Sequence, residues 1–118
     1  MEGVKKFRKL RVWQEARVLV KEIYEVTANF PKHELYGLVS QIRRAAISII
    51  ANIAEGTKRQ TSKDKRHFFV MADTSLEEVK CYIIIGFDLK YINEGQGKQL
   101  TTRSRDVGRM LNGLIKKQ

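Results

Sequence analysis

Residues 40–56, SQIRRAAISIIANIAEG, carry two side-chain patterns at the same time. The apolar residues recur at the spacing of one helix face: Ile42, Ala45, Ala46, Ile49 and Ile53. A second set is polar, and at about 100° per residue its members fall within roughly 80° of one another on a helix. We call this set the polar stripe; its members are Gln41, Arg44, Ser48, Asn52 and Glu55. The stretch therefore predicts a helix with a continuous polar stripe beside its buried face.

The polar stripe is expected to lie at the edge of the core, where another helix or another subunit can cover it. Partly buried polar groups need hydrogen-bond partners, and Ser75 and Glu78 are available further along the chain. We expect an ion pair between Arg44 and Glu78, with Ser48, Asn52 and Ser75 beside it. One interpretation is a structural network that determines helix pairing. The alternative is a site for a ligand or a phosphate group.

Outward from this segment, the rest of the chain also predicts helices with short connections. Apolar residues recur at helical spacing in further segments on both sides. The predicted helices cover residues 12–29, 34–55, 63–91 and 98–116. Short connections between long amphipathic helices are typical of antiparallel neighbours. We therefore expect an all-α protein, a single domain over residues 1–118, folded as an up-down-up-down antiparallel four-helix bundle.

Several residues favour the ends of these helices. Pro31 ends the first helix, because the residue before a proline disfavours the helical region. Gly56 enters the left-handed conformation without steric cost, so we expect it to end the second helix. Residues 93–97, NEGQG, predict a turn before the fourth helix. Residues 81–87, CYIIIGF, leave a strand open as an alternative, although no second strand is predicted to pair with it.

The composition of the chain limits the classes of function. Its 23 Lys and Arg against 13 Asp and Glu give a formal net charge of +10. This balance favours RNA, DNA or an acidic protein surface as partner, and a merely basic protein is the alternative. The single cysteine, Cys81, allows no internal disulfide and fits a reducing compartment. No apolar run reaches membrane-spanning length, so we expect a cytoplasmic protein with no membrane partner.

Basic residues in three places are candidates for contact with phosphate groups. On the fourth predicted helix they follow spacings of 7, 4 and 7 residues and form what we call the basic stripe: Lys98, Arg105, Arg109 and Lys116. At 1.5 Å per residue the basic stripe is about 27 Å long, enough to follow a phosphate backbone. The N-terminal segment 1–11 and the loop after the second helix add Lys5, Lys6, Arg8, Lys58 and Arg59. An ordinary solvated surface is the alternative.

Motifs for catalysis or cofactor binding do not occur in the sequence. His33 and His67 lack the spaced Cys, His or carboxylate partners of a metal site. GxGxxG, P-loop and GxSxG motifs are missing. The pair Glu77–Glu78 lacks the ExxH partner of a di-metal bundle. We therefore expect no catalytic residues, no metal and no cofactor.

The third predicted helix is apolar on more than one side. Four apolar residues lie well off its main face: Val70, Cys81, Ile84 and Ile85. A helix that is apolar on several sides is buried on several sides. Because each helix of a four-helix monomer has one core face, this surplus indicates an interface between subunits.

The sequence resembles the family of small four-helix-bundle proteins first named from reading frames in the intervening sequences of 23S rRNA genes. The resemblance extends over residues 7–115 and is strongest in the polar stripe and in the run NIAEG at 52–56. Supporting matches are Phe7, Leu10, Trp13, Ala16, Tyr24, Pro31, Ala72, Ser75 and Glu78. The chain differs in having Thr74-Ser75 where the family often has Gly-Ser.

This resemblance implies a left-handed up-down bundle that assembles into ring-like homo-oligomers, with a pentamer as the expected state. It also implies similarity to the accessory proteins of diversity-generating retroelements, which are basic and engage reverse transcriptase and nucleic acid. No settled activity comes with the family itself. Our first hypothesis is a non-enzymatic accessory protein that binds the backbone of RNA or DNA, with repeated weak contacts around an oligomer. The second hypothesis is an oligomeric protein-interaction scaffold for an acidic partner, without a direct role in nucleic-acid binding.

Overall fold

The computed structural model describes residues 5–118, with side chains described from residue 6 onward. These residues form five α-helices: α1 (Lys5–Arg8), α2 (Arg11–Thr27), α3 (Ser40–Lys58), α4 (Ser62–Asp88) and α5 (Glu94–Lys116). Within residues 5–118 no strand is present, so the alternative of a strand at 81–87 is wrong. These residues lie inside α4, where the packing of Ile83 and Gly86 against the core favours a helix.

The helices α2–α5 surround one hydrophobic core. Helix α2 packs against α3 and α5, and α4 packs against the same two helices. The fully buried side chains come from all of them: Leu19, Ile23, Ile42, Ile49, Ile53, Leu76, Val79, Leu100, Val107 and Leu111. Burial of one such side chain contributes roughly 1.5–3 kcal/mol, so this shared core is the main source of stability. The short helix α1 packs against α2 and α3.

The segment between α2 and α3 departs from the predicted helix at 34–55. A 3-10 turn (Lys32–Glu34) and a π-helical turn (Leu35–Val39) precede α3. The helix is interrupted because Gly37 has a non-helical backbone conformation, with φ −112° and ψ −110°. Regular α-helix therefore begins at Ser40 rather than at residue 34.

Gly56 does not end α3, as the sequence had predicted. The helix continues to Lys58, and Gly56 is a buried helical residue that lies against Phe69 of α4. The glycine therefore serves the close approach of two helices, a function that local sequence does not distinguish from helix termination.

The connection between α4 and α5 covers residues 89–93, earlier in the chain than the predicted 92–97. Helix α4 ends at Asp88, where Lys90 adopts a left-handed conformation with φ 67°. Helix α5 begins at Glu94, because the side chain of Asn93 accepts a hydrogen bond from the backbone N–H of Gln96 at 2.8 Å. In return, the side chain of Gln96 accepts from the Asn93 N–H at 3.0 Å. This capping box makes most of the predicted turn at 93–97 the first turn of a helix.

No helix in the described part of the chain combines the length and apolar character needed to cross a membrane.

Candidate nucleic-acid interface

Part of the polar stripe forms a hydrogen-bonded network between α3 and α4. The hydroxyl oxygens of Ser48 and Ser75 lie 2.8 Å apart and share a hydrogen bond. The Asn52 side-chain amide donates to the Ser48 hydroxyl at 3.0 Å and to the Ser48 carbonyl at 2.9 Å. Ser75 is buried, so this network satisfies polar groups at the contact between the two helices. The structure thus brings these three predicted residues together.

The ion pair expected between Arg44 and Glu78 does not form within the described chain. Glu78 instead accepts a hydrogen bond from the Tyr82 hydroxyl at 3.2 Å, one turn further along α4. Burial raises the pKa of the Tyr82 hydroxyl, and its hydrogen bond to Glu78 raises this pKa further. Arg44 and Gln41 are exposed to solvent on α3. Tyr82 lies on the same helix as Glu78 at the favourable i,i+4 spacing. The sequence-based prediction of an interhelical pair did not consider this local partner.

The basic stripe is exposed along α5, but the surface around it carries charges of both signs. Arg109 pairs with Asp106 on the same helix, with Nη2 and Oδ1 2.8 Å apart. A groove of about 550 Å³ beside the stripe is lined by Asp73 and Glu77 of α4 as well as by Lys80. These acids come from a different helix, so the spacing within α5 did not reveal them. The stripe therefore offers a polyanion a weaker attraction than its sequence indicated.

The predicted cations Lys6, Arg8, Lys58 and Arg59 meet others at one end of the helices, which we call the basic end. Its exposed basic side chains come from α1 and the start of α2, from the end of α3 and the residue after it, and from the first turns of α4: Lys6, Arg8, Lys9, Arg11, Lys58, Arg59, Lys63 and Arg66. A groove of about 440 Å³ between α1 and α3 is lined by Lys6, Phe7, Glu55 and Lys58, among others. The side chain of Lys5 lies outside the described part of the structure.

Lys65 joins the two helices α3 and α4 at the basic end. Its Nζ donates to the carbonyl of Thr57 at 3.1 Å, which joins the first turn of α4 to the last turn of α3. The acids within the same segments, 6–11 and 55–66, are Glu55 and Asp64. The basic end is therefore strongly positive, and its cations come from segments that are distant in sequence.

Arg59 has the most defined geometry at the basic end. Its Nη2 donates to Oε2 of Glu55 at 2.8 Å, so Glu55 leaves the polar network predicted for it. The guanidinium carbon lies 4.4 Å from the centroid of the Phe68 ring, and His67 packs edge-on against that ring at 5.3 Å. The Arg59 side chain remains 44% exposed. Sequence analysis missed this cluster because Phe68 has the spacing of a core residue.

A second charged cluster, between α2 and α5, was also missed. Arg103 lies 3.1 Å from Glu22 and 3.0 Å from Glu15, and the Gln99 side chain donates to Glu22 at 2.6 Å. The hydrogen bond to Glu22 is the main cause that raises the pKa of Arg103 above its ordinary value. The seven-residue spacing of Glu15 and Glu22 places both on one helix face, which is the signal that sequence analysis did not use. This cluster joins helices and is largely shielded from solvent.

Polar side chains at the opposite end of the helices contact one another across two connections of the chain. The Tyr91 hydroxyl donates to Glu34 at 3.0 Å and lies 3.4 Å from Nε2 of His33. The hydrogen bond to Glu34 is the main cause that raises the pKa of Tyr91. These contacts join the 3-10 turn to the connection between α4 and α5. Among residues 5–118, His, Cys, Asp and Glu side chains form no group of three that is suited to a metal ion.

The predicted interface residues of α4 point away from the core. We call Val70, Cys81, Ile84 and Ile85 the outer face of α4. Ile84 is the most exposed of them, at 60%. A neighbouring apolar residue of the same helix, Met71, is also exposed. Together they form an apolar surface along the side of α4 that faces away from the core.

Comparison with known proteins identifies related sequences and structures. A family model described as 23S rRNA-intervening sequence protein matches residues 8–113. No match is found among curated proteins. A similar solved structure is the 1.70 Å crystal structure of a protein with unknown function from the S23 ribosomal protein family of Bacteroides thetaiotaomicron VPI-5482. The two chains are 22% identical, with a TM-score of 0.80, covering 89% of this chain and 98% of the other. The resemblance seen in the sequence is thus confirmed for the family, and the structural likeness shows the fold.

Proposed function

Because the chain belongs to the 23S rRNA-intervening sequence protein family, we propose that it is a non-enzymatic accessory protein that binds RNA or DNA. The observation that carries this proposal is the basic end, where exposed cations from α1, α3 and α4 converge. Phosphate contacts dominate the affinity of such surfaces and carry little sequence information. The single cysteine supports a reducing, cytoplasmic setting for this function.

The basic end is favoured over the basic stripe as the principal binding surface. Its eight exposed cations are opposed within segments 6–11 and 55–66 by two acids, Glu55 and Asp64. The basic stripe, by contrast, has Asp73, Glu77 and Asp106 close to it. Since neighbouring carboxylates repel phosphate groups, the stripe is expected to make a secondary contribution.

We expect the protein to bind structured RNA and duplex DNA with micromolar or tighter affinity that weakens steeply between about 50 and 200 mM salt. Fluorescence anisotropy with labelled RNA and DNA measures this dependence. The double variant Lys58→Glu/Arg66→Glu, at the basic end, is expected to lower affinity about ten-fold or more and to flatten the salt dependence.

The matched control applies the same charge change to the basic stripe, as Arg105→Glu/Arg109→Glu. A larger loss with the stripe variant than with the basic-end variant would place the main contact on α5 instead. Wild-type protein that binds no nucleic acid at about 50 mM salt would refute the proposed function. It would favour the alternative, an oligomeric scaffold for an acidic protein.

We further propose that α2–α5 form an up-down-up-down antiparallel four-helix bundle. The order of contacts along the helices supports this topology. Between α2 and α5, Glu15 contacts Arg103 while Glu22 also contacts Gln99, so the sequence numbers run in opposite directions. Between α3 and α4, Ser48 pairs with Ser75 while Thr57 pairs with Lys65, in the same opposed order.

The outer face of α4 supports assembly of the chain into a ring-like homo-oligomer, for which we propose a pentamer. Its four apolar residues are exposed along one side of α4, and exposed apolar surface of this kind marks interaction sites. Arg44 and Glu78 border this surface and do not pair with each other within the chain. We propose that they pair between subunits instead.

The proposed assembly can be tested by measuring the mass of the protein in solution. Sedimentation equilibrium is expected to give a multiple of the 13.7 kDa chain mass. Ile84→Lys/Ile85→Lys is expected to yield monomers, because lysine side chains keep their charge in water and resist burial. Val18→Lys, at an exposed aliphatic residue of α2, is the matched control and should leave the oligomer unchanged. A wild-type chain that sediments as a monomer at all concentrations contradicts this assembly.

A further inference from the structure

We propose that the Arg59–Phe68 pair is a stacking platform for an unpaired base, so that the basic end selects single-stranded over double-stranded nucleic acid. This inference rests on the proposed nucleic-acid binding and names the form of nucleic acid that the site takes. It follows from the geometry of Arg59, Glu55 and Phe68 rather than from the total charge of the chain.

The guanidinium group of Arg59 is held on two sides. Glu55 fixes one edge through the 2.8 Å hydrogen bond, and the Phe68 ring covers one surface at 4.4 Å. Since the side chain is 44% exposed, the guanidinium still presents surface to solvent. A planar cation that is oriented in advance loses little conformational entropy when a flat base stacks on it. His67, edge-on to Phe68, extends the aromatic surface.

The charge at this point favours a base over a phosphate group. Glu55 neutralises Arg59 and presents a carboxylate beside it, which repels an approaching phosphate. A base is neutral and does not experience this repulsion. Arg59 is thus better suited to stacking than to the backbone contact that its sequence position had predicted.

Phosphate contacts are available around the platform. Lys58 precedes Arg59 in the chain, and Lys63 and Arg66 lie in the first turns of α4, all of them exposed. A strand whose base lies on Arg59 therefore keeps its backbone close to cations. Bases within a duplex are already stacked on one another, so only an unpaired nucleotide can use the platform fully.

Arg43 provides an internal comparison. Its guanidinium lies over the Tyr24 ring at the same 4.4 Å. However, its nitrogen atoms donate to the Thr27 hydroxyl at 2.9 Å and to the Tyr24 carbonyl at 3.3 Å, so it ties α3 to α2. It also lies outside the basic end. Arg43 is therefore a matched position where the same substitution should not affect binding.

The test compares three labelled probes by fluorescence anisotropy: a 12-nucleotide oligoadenylate, an abasic phosphodiester of the same length and a 12-base-pair RNA duplex. Wild-type protein is expected to bind oligoadenylate about ten-fold more tightly than the abasic strand. Arg59→Lys keeps the positive charge but removes the planar guanidinium group. This variant should therefore lose most of the preference for oligoadenylate over the abasic strand, while its affinity for the duplex changes less than about two-fold. Arg43→Lys should leave all three affinities unchanged.

Further variants separate stacking from charge and from folding. Lys63→Gln should weaken all three probes by similar factors, because it removes a phosphate contact. Phe68→Leu should act like Arg59→Lys, with circular dichroism and thermal melting to verify its fold. A 2-aminopurine base within the oligoadenylate should be quenched by wild-type protein and much less by Arg59→Lys, a signal that a structural role of Arg59 does not produce.

The inference is overturned if wild-type protein binds the abasic strand as tightly as oligoadenylate, or if Arg59→Lys weakens all probes equally. In either case, salt-dependent binding of the duplex would leave the proposed function standing. Failure of every probe to bind at about 50 mM salt would refute both.

Discussion

Arg103→Met is expected to lower the free energy of unfolding by about 3 kcal/mol. Arg103 is the cation that neutralises Glu22 and Glu15, which both lie on α2 and face α5. Glu22 is 8% exposed, so the substitution leaves a buried carboxylate with only the Gln99 amide as partner. Removal of one partner from a buried pair destabilises more than the pair itself stabilises, because the remaining charge is uncompensated. Urea unfolding followed by circular dichroism measures the change.

Two further variants distinguish the cluster from an ordinary surface pair. Arg105→Met changes an exposed arginine on the same helix and is expected to alter the free energy of unfolding by less than about 0.5 kcal/mol. Glu22→Gln in the Arg103→Met background should recover part of the loss, since the amide carries no charge to bury. Equal effects of the Arg103 and Arg105 substitutions would show that the cluster contributes little.

Gly56→Val is expected to lower the free energy of unfolding by about 3 kcal/mol as well, through steric overlap. A Cβ atom at residue 56 would lie 2.5 Å from Cε1 and 2.8 Å from Cδ1 of Phe69. Phe69 is 2% exposed, so its ring has no free space to move into. Helices α3 and α4 would have to separate, with loss of packing along their contact. Thermal and urea unfolding measure the change.

The control for this substitution is Gly113→Val on α5. Apart from the adjacent backbone of α5, no atom of the described residues lies within 4 Å of a Cβ at residue 113, so the free energy of unfolding should change by less than about 0.5 kcal/mol. Phe69→Leu provides a second check, because its smaller side chain makes room beside residue 56. The double variant should be more stable than the sum of the two single effects predicts. Strict additivity would show that Phe69 is not the obstacle.

The helices were predictable from the sequence because their apolar period is strong. Ile42, Ile49 and Ile53 form one face of α3 in the structure, as their spacing predicted. The network of Ser48, Asn52 and Ser75 was also predictable, since small polar groups at a helix contact have few partners to choose from. The spacing of apolar residues did not predict where the helices begin. The start of α5 is set by capping by Asn93, and the start of α3 by the backbone conformation of Gly37.

The candidate interface was predictable in its parts and not in its arrangement. The cations of the N-terminal segment and the pair Lys58 and Arg59 were identified individually, but their convergence depends on how α1 packs against α3. The basic stripe looked uniform because its opposing acids, Asp73 and Glu77, belong to another helix. The contact between Arg59 and Phe68 could not be predicted, because it depends on the side-chain rotamer of Arg59, which a single sequence does not contain.

The separation of the basic end from the outer face of α4 has a consequence for stoichiometry. The basic end lies at one end of the helices, whereas Cys81, Ile84 and Ile85 of the outer face lie about four turns or more beyond Arg66 along α4. Contact between subunits through these three residues would leave the basic end uncovered. In the proposed ring, with its rotation axis along the helices, the basic ends of all subunits would lie on the same side and form a continuous cationic surface. A short nucleic-acid strand would then bind to one subunit, giving one strand per subunit. A strand long enough to span the cationic surface would bind several subunits at once, giving one strand per oligomer.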